Sequence, residues 1–166
     1  MSKSKSSPNL INPYDNEYDS WYDSDGNQYS SKDIITFADK HKHPLHIGSD
    51  SHLIGDNYIF ATAICFYEPG KGGSFFIKRF SVEHKYCSTL GMRLQQEVFQ
   101  SISTANAITE ALSHKEITIH IDCNVSEVHK SSKYHKMLKN YAISSGYGCM
   151  VKPNSWAAFV ADKFAK

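Results

Sequence analysis

No stretch of eighteen apolar residues occurs in the chain, and its opening, MSKSKSSPNLINPYD, has no apolar core of the kind a secretory signal carries. Neither a membrane span nor export is expected, and the cytoplasm is the expected compartment. There is no Cys-x-x-Cys pair: Cys65, Cys87, Cys123 and Cys149 stand far apart. They read as reduced thiols, three of them inside strand-like runs as small core residues, rather than as disulfides or a zinc site. No phosphate-loop pattern is present, so EPGKGG (68–73) reads as a hairpin turn. The histidines of HKHPLH (41–46) lack zinc spacing and read as packed or solvated. No internal repeat is visible. Nor is there a large charge excess. Residues 1–40 hold four Lys/Arg against seven Asp/Glu, and residues 41–166 hold fourteen against ten. A body of that weak positive sign can approach phosphates without announcing nucleic-acid binding by itself.

What is present is enough for one domain: 166 residues, 40% of them hydrophobic. Residues 1–30, rich in Ser, Asn, Asp and Tyr without a period, read as a flexible acidic and aromatic leader that packs loosely or docks a protein partner. The folded domain is expected over 31–166. SSKDIITFADKH predicts a short helix capped by Ser31. PLHIGSDS, NYIFATAICFY and SFFIKRFSVE, joined by short glycine-bearing loops, predict an antiparallel three-strand meander. Leu90, Leu94, Val98, Ile102, Ala105, Ile108 and Leu112 recur at helical spacing, so a long helix is expected between Ser88 and Ser113. EITIHID is a strand, VHKSSKYHKMLKNYAISS a helix ended by Gly146, YGCMVK a strand, and NSWAAFVADKFAK a last helix capped by Asn154 or Ser155. Helical crossovers imply two parallel strands beside the meander. The fold class is therefore α/β, a mixed sheet covered by helices.

The chemistry sits in carboxylates. Period-2 counting puts His46, Gly48, Asp50 and His52 on one face of the first strand of the meander, opposite Leu45, Ile47 and Ser49. In ITIHID, Thr118, His120 and Asp122 share a face, with Asp122 at the strand's C-terminal end, where open parallel sheets gather their sites. If these strands are neighbours, Asp50 and Asp122 stand side by side and repel unless a cation lies between them. Glu97, at the border of the long helix's apolar stripe, and Asp162, on the last helix, complete a set of four. Oxygen ligands from four separate elements suit Mg²⁺ or Mn²⁺, and paired ions are how many enzymes cleave phosphodiesters. Singly, each acid has a plain reading as turn former, solvated helix charge or exposed terminal residue. Only the combination, in this order, is informative. His52 reads first as a polar residue at a strand end and second as a proton shuttle.

HIGSDSH, RLQQEVFQSI, IHIDCN and VKPNSWAAFVADKFAK together resemble the YkuK family of ribonuclease H-like proteins, found in bacteria and their phages. The resemblance covers about residues 30–166, and its C-terminal block, with Lys152, Pro153, Trp156, Ala157, Ala158 and Asp162, is its most specific part. It implies a ribonuclease H-like sheet and a two-metal nuclease acting on RNA, DNA or a hybrid. Asp50 and Asp122 would flank the ions, Glu97 would hold one and Asp162 would complete the second. The chain departs from the family at His52, where glutamine is expected.

Lys130, Lys133, Lys136 and Lys139 spread over one predicted helix and, with Lys152, are candidates to track a phosphate backbone, against the plain reading of a solvated face. Trp156, Phe159, Val160 and Phe164 read as core packing of the last helix. The competing functional reading is a non-catalytic module that binds nucleic acid or protein on the same fold. A third makes the leader the working part, docking a larger assembly.

Overall fold

The computed structural model describes residues 20–166. In chain order these form β1 (Trp21–Tyr22), β2 (Gln28–Tyr29), α1 (Ser31–Lys40), β3 (Leu45–Ile54), β4 (Asn57–Glu68) and β5 (Gly72–Glu83). Then follow α2 (Leu90–Ala111), β6 (Ile117–Ile121), α3 (His135–Ser144), β7 (Gly148–Val151) and α4 (Trp156–Ala165). One sheet of seven strands runs β2-β1-β5-β4-β3-β6-β7. β3, β4 and β5 pair antiparallel along their lengths, while β6 and β7 add parallel strands beside β3. The expected meander and parallel pair are both there. Gly55, at φ +62, makes the two-residue turn that sets Ile54 opposite Asn57.

Alternation along β4 explains why the sheet has two covers. Ile64 and Phe66 enter the larger core with Leu45, Ile47 and Ile119, under Ile34 of α1, Leu94, Val98 and Ile102 of α2, and Leu138 of α3. Ala61, Ala63 and Cys65 face the other way, against Ala157, Ala161 and Ala165 of α4. Each fully buried aliphatic side chain of the larger core contributes about 1.5–3 kcal/mol. The smaller core is built of alanines, which trade area for closeness. A Cβ at Gly48 would lie 2.4 Å from the backbone nitrogen of Ala158. α4 therefore rests directly on β3.

Three expectations are corrected. Residues 20–30, read as leader, join the fold: Tyr22 of β1 pairs with Ile77 of β5, and Trp21 is 4% exposed within the larger core. The acidic composition that suggested a leader is local, since Asp23 turns back to hold Asn27 in the hairpin. The remaining leader residues, 1–19, lie outside the described part. The cap of α1 is Ser30 rather than Ser31, because only Ser30 stands three residues before Asp33 and closes a reciprocal capping box with it. The lysine-bearing helix is shorter than expected, with Lys130–Tyr134 a 3-10 turn and α3 starting at His135. Lys130 and Lys133 thus lie on the turn, apart from Lys136 and Lys139. Gly146, at φ +96, does end α3. Among the described residues no helix is long and apolar enough to cross a membrane.

Candidate metal centre

β3 and β6 pair from Leu45↔Ile117 through Gly48↔His120 and then part. Asp50 and Asp122 each stand two residues beyond the last pair, at the same level of the sheet. The parting strands leave both carboxylates without a covering strand between them. β3 continues against β4, so Asp50 is held by a complete ladder on one side, with Asp50 opposite Ala61.

Asp50 is 8% exposed and faces α4. One Asp50 oxygen accepts the backbone N–H of Ser51 at 2.8 Å, and the other lies 3.7 Å from His52 Nε2. The same His52 nitrogen is hydrogen-bonded to Asp162 of α4. Asp50, His52 and Asp162 each offer a ligand atom within 4.8 Å of the other two. Lys166, one turn on, sits 3.1 Å from the second Asp162 oxygen. Burial, a hydrogen bond to Asp162 and the charge of Asp122 push the Asp50 carboxyl up to about 8. Burial works against Asp162 as well, but hydrogen bonds from His52, Asp50 and Lys166 hold it down to about 2.

Glu97 reaches the site from the opposite layer. It is buried on α2 and accepts the Ser51 hydroxyl at 2.6 Å, while Asp50 beside Ser51 turns to α4. Burial, then the charges of Asp50 and Asp122, raise its carboxyl well above the usual range. Asp122 holds the ammonium of Lys152 at 2.7 Å. The structure therefore gathers Asp50, His52 and Asp162 tightly, sets Asp122 beside them with Lys152 attached, and keeps Glu97 behind Ser51. Lys130, Lys133 and Lys136 are exposed, on the 3-10 turn and the first turn of α3.

Two histidines that counting had placed only on a face have a structural role. His120, 2% exposed, accepts the backbone N–H of Ala157 on Nδ1 at 3.1 Å, and its Nε2 is 3.0 Å from His46 Nδ1. The acceptor role of Nδ1 puts the His120 proton on Nε2, which donates to His46. Burial, then His46, lowers His120 to about 3, so it stays a neutral acceptor. It satisfies an orphan donor in the first turn of α4, the helix that carries Asp162. Of the two expected caps, Asn154 and Ser155, it is Ser155 that occupies the position, but its hydroxyl is buried without a partner. The period-2 faces and the parallel register together were the signal for this.

Trp156 and Phe159 do not pack in the core as expected. Trp156 lies over the His46 and His120 rings, and Phe159 is 49% exposed, because the alanines of α4 already fill the contact with the sheet. Val160 and Phe164 do pack there.

The donor set fits a hard divalent cation: carboxylate oxygens of Asp50 and Asp162, with His52, lie within 4.8 Å of one another, and Asp122 stands at the same level of the sheet on the next strand. The model of the family described as ribonuclease H-like matches residues 30–166. Comparison with curated proteins gives no match.

Proposed function

Because the chain belongs to the YkuK family of ribonuclease H-like proteins, we propose that it is a metal-dependent nuclease hydrolysing nucleic-acid phosphodiester bonds with two divalent ions. The observation that carries this reading is geometric: ligand atoms of Asp50, His52 and Asp162 converge within 4.8 Å of one another, with Asp122 at the same level of the sheet on the neighbouring strand. Carboxylates brought together from separate elements form a set of oxygen ligands that a divalent cation can bridge.

Asp50, Asp122 and Asp162 are the groups that hold Mg²⁺ or Mn²⁺, with Glu97 as a further carboxylate behind Ser51. Divalent ions held there would lower the pKa of a water and neutralise charge on the phosphate. His52 carries a proton at Nε2 between Asp162 and the reacting water. Lys152, paired with Asp122, is the residue that would meet a phosphate oxygen at the site. The exposed Lys130, Lys133 and Lys136 follow the backbone of the bound strand.

A second reading has its own observation. Lys152 on Asp122 and Lys166 on Asp162 are cations supplied by the chain itself. A domain neutralised in this way binds nucleic acid without cutting it. Calorimetric titration of Mn²⁺ into the wild type and Asp50→Asn, followed by cleavage assays on labelled RNA, DNA and hybrid, separates the two. Metal uptake in the wild type, with both uptake and cleavage lost in the variant, is the expected result. Nucleic-acid binding with neither metal uptake nor cleavage establishes the binding module.

A further inference from the structure

Beside the carboxylates lies a cavity of about 470 Å³ bordered by Asn124, Val125, Ser126, Lys152, Pro153 and Phe159. Two of its walls are tied to the site. Lys152 is the residue that holds Asp122, and Phe159 precedes Asp162 by three residues, one turn of α4. The third wall, Asn124–Ser126, begins two residues after Asp122. It is fastened to the 3-10 turn, where Ser131 accepts the Asn124 backbone N–H at 3.1 Å. Lys130 is the neighbour of that serine.

The lining is unusual for a solvated surface. Phe159 presents half its surface and Val125 54% of its own, yet both border a concavity with Pro153 rather than standing singly on a convex face. The cavity falls in the range of small-ligand sites, ~300–1,000 Å³. Its polar groups are an ammonium, an amide and a hydroxyl. An aromatic face and a proline ring for a planar π-system, an ammonium for a phosphate and an amide for a base edge or sugar hydroxyl describe a nucleotide.

We propose that Phe159, Pro153 and Val125 form a stacking pocket for an unpaired nucleobase, so that the site receives its nucleic acid single-stranded or frayed. This rests on the nuclease reading for the role of the adjoining carboxylates. In a duplex both faces of a base are covered by its neighbours, and a side chain in a pocket of this size has no face to stack on. A base released from pairing presents one. Lys152 then meets its phosphate on the side where Asp122 lies, and the chain runs on past Lys130.

The test is fluorescence anisotropy with the full chain, in Ca²⁺ so that the carboxylates are neutralised. The probes are a labelled single-stranded oligonucleotide, the same strand with abasic positions, and a blunt duplex. The expected result is single-strand binding about tenfold tighter than duplex binding, a loss of about tenfold in Phe159→Ala, and retention in Phe159→Tyr. The abasic strand is expected to bind wild type and Phe159→Ala alike. Equal binding of the intact strand by wild type and Phe159→Ala, or a preference for duplex, overturns the pocket. Cleavage in Mn²⁺ is scored separately. Cleavage with no effect of Phe159→Ala on binding removes the pocket and leaves the nuclease; stacking without cleavage does the reverse. Phe159 is half exposed, so its replacement is expected to leave the melting temperature unchanged.

Discussion

Folding favours the protonated form of Asp50. Its carboxyl is raised to about 8 by burial, by Asp162 and by Asp122, whereas an aspartate in an unfolded chain titrates near ~3.9. Between those values the native state binds more protons than the unfolded one, so metal-free stability falls as pH rises above about 4 and levels off above about 8. Glu97, raised for the same reasons, adds to the slope. Asp162 has the opposite sign: held down to about 2, it stabilises above its unfolded value and loses that contribution as pH falls through about 2. Asparagine at position 50 keeps the shape and cannot ionise. Asp50→Asn is expected to be more stable than the wild type at pH 8 in EDTA, with the two converging near pH 4, by urea denaturation at a series of pH values. Parallel curves would show that Asp50 is already ionised in the native protein.

Among the elements, the contact of α4 with β3 decides where Asp162 stands. Gly48 permits it: an added Cβ would lie 2.4 Å from Ala158 N and 2.6 Å from Ala157 C, both backbone atoms. The helix has to lift. Gly48→Ala is expected to cost about 1–3 kcal/mol and also to weaken Mn²⁺ binding, because Asp162 moves away from His52. Gly91 supplies the contrast, since its Cβ would meet the ring of Tyr134 at 2.9 Å, a side chain that can turn aside. Thermal denaturation with Mn²⁺ titration of both variants checks this: a metal affinity untouched in Gly48→Ala would mean that α4 does not position the site. The shared face of His46, Gly48, Asp50 and His52 was legible from alternation alone. That the face belongs to α4, and that His120 caps this helix, depended on which strands lie side by side.

For the whole molecule, the two-residue strands β1 and β2 extend the sheet beyond β5 and bring Trp21 into the larger core, with its indole N–H 3.3 Å from the Ser31 hydroxyl. The hairpin is a structural edge of the domain, at the far side of the sheet from the acid cluster. Trp21→Ala is therefore expected to lower stability by about 3–5 kcal/mol while leaving Mn²⁺ affinity intact under native conditions. Urea denaturation measures the first and calorimetry the second. An unchanged stability would return Trp21 to the docking role suggested by composition.

The strands, the long helix and the alternation of Asp50 were determined by the sequence itself, because side-chain period and turn residues act over a few positions. So was the family, through HIGSDSH, IHIDCN and VKPNSWAAFVADKFAK. The sequence offered the four acids as candidates on equal terms, and the structure distinguishes them: Asp50 joins Asp162 through His52, Asp122 holds Lys152, and Glu97 answers Ser51 from the other layer. These pairings join residues up to 110 positions apart, and no local pattern encodes them. The fate of Phe159 is of the same kind. Its helical spacing suits a core, but only packing shows that alanines have filled the contact and left the ring beside the carboxylates.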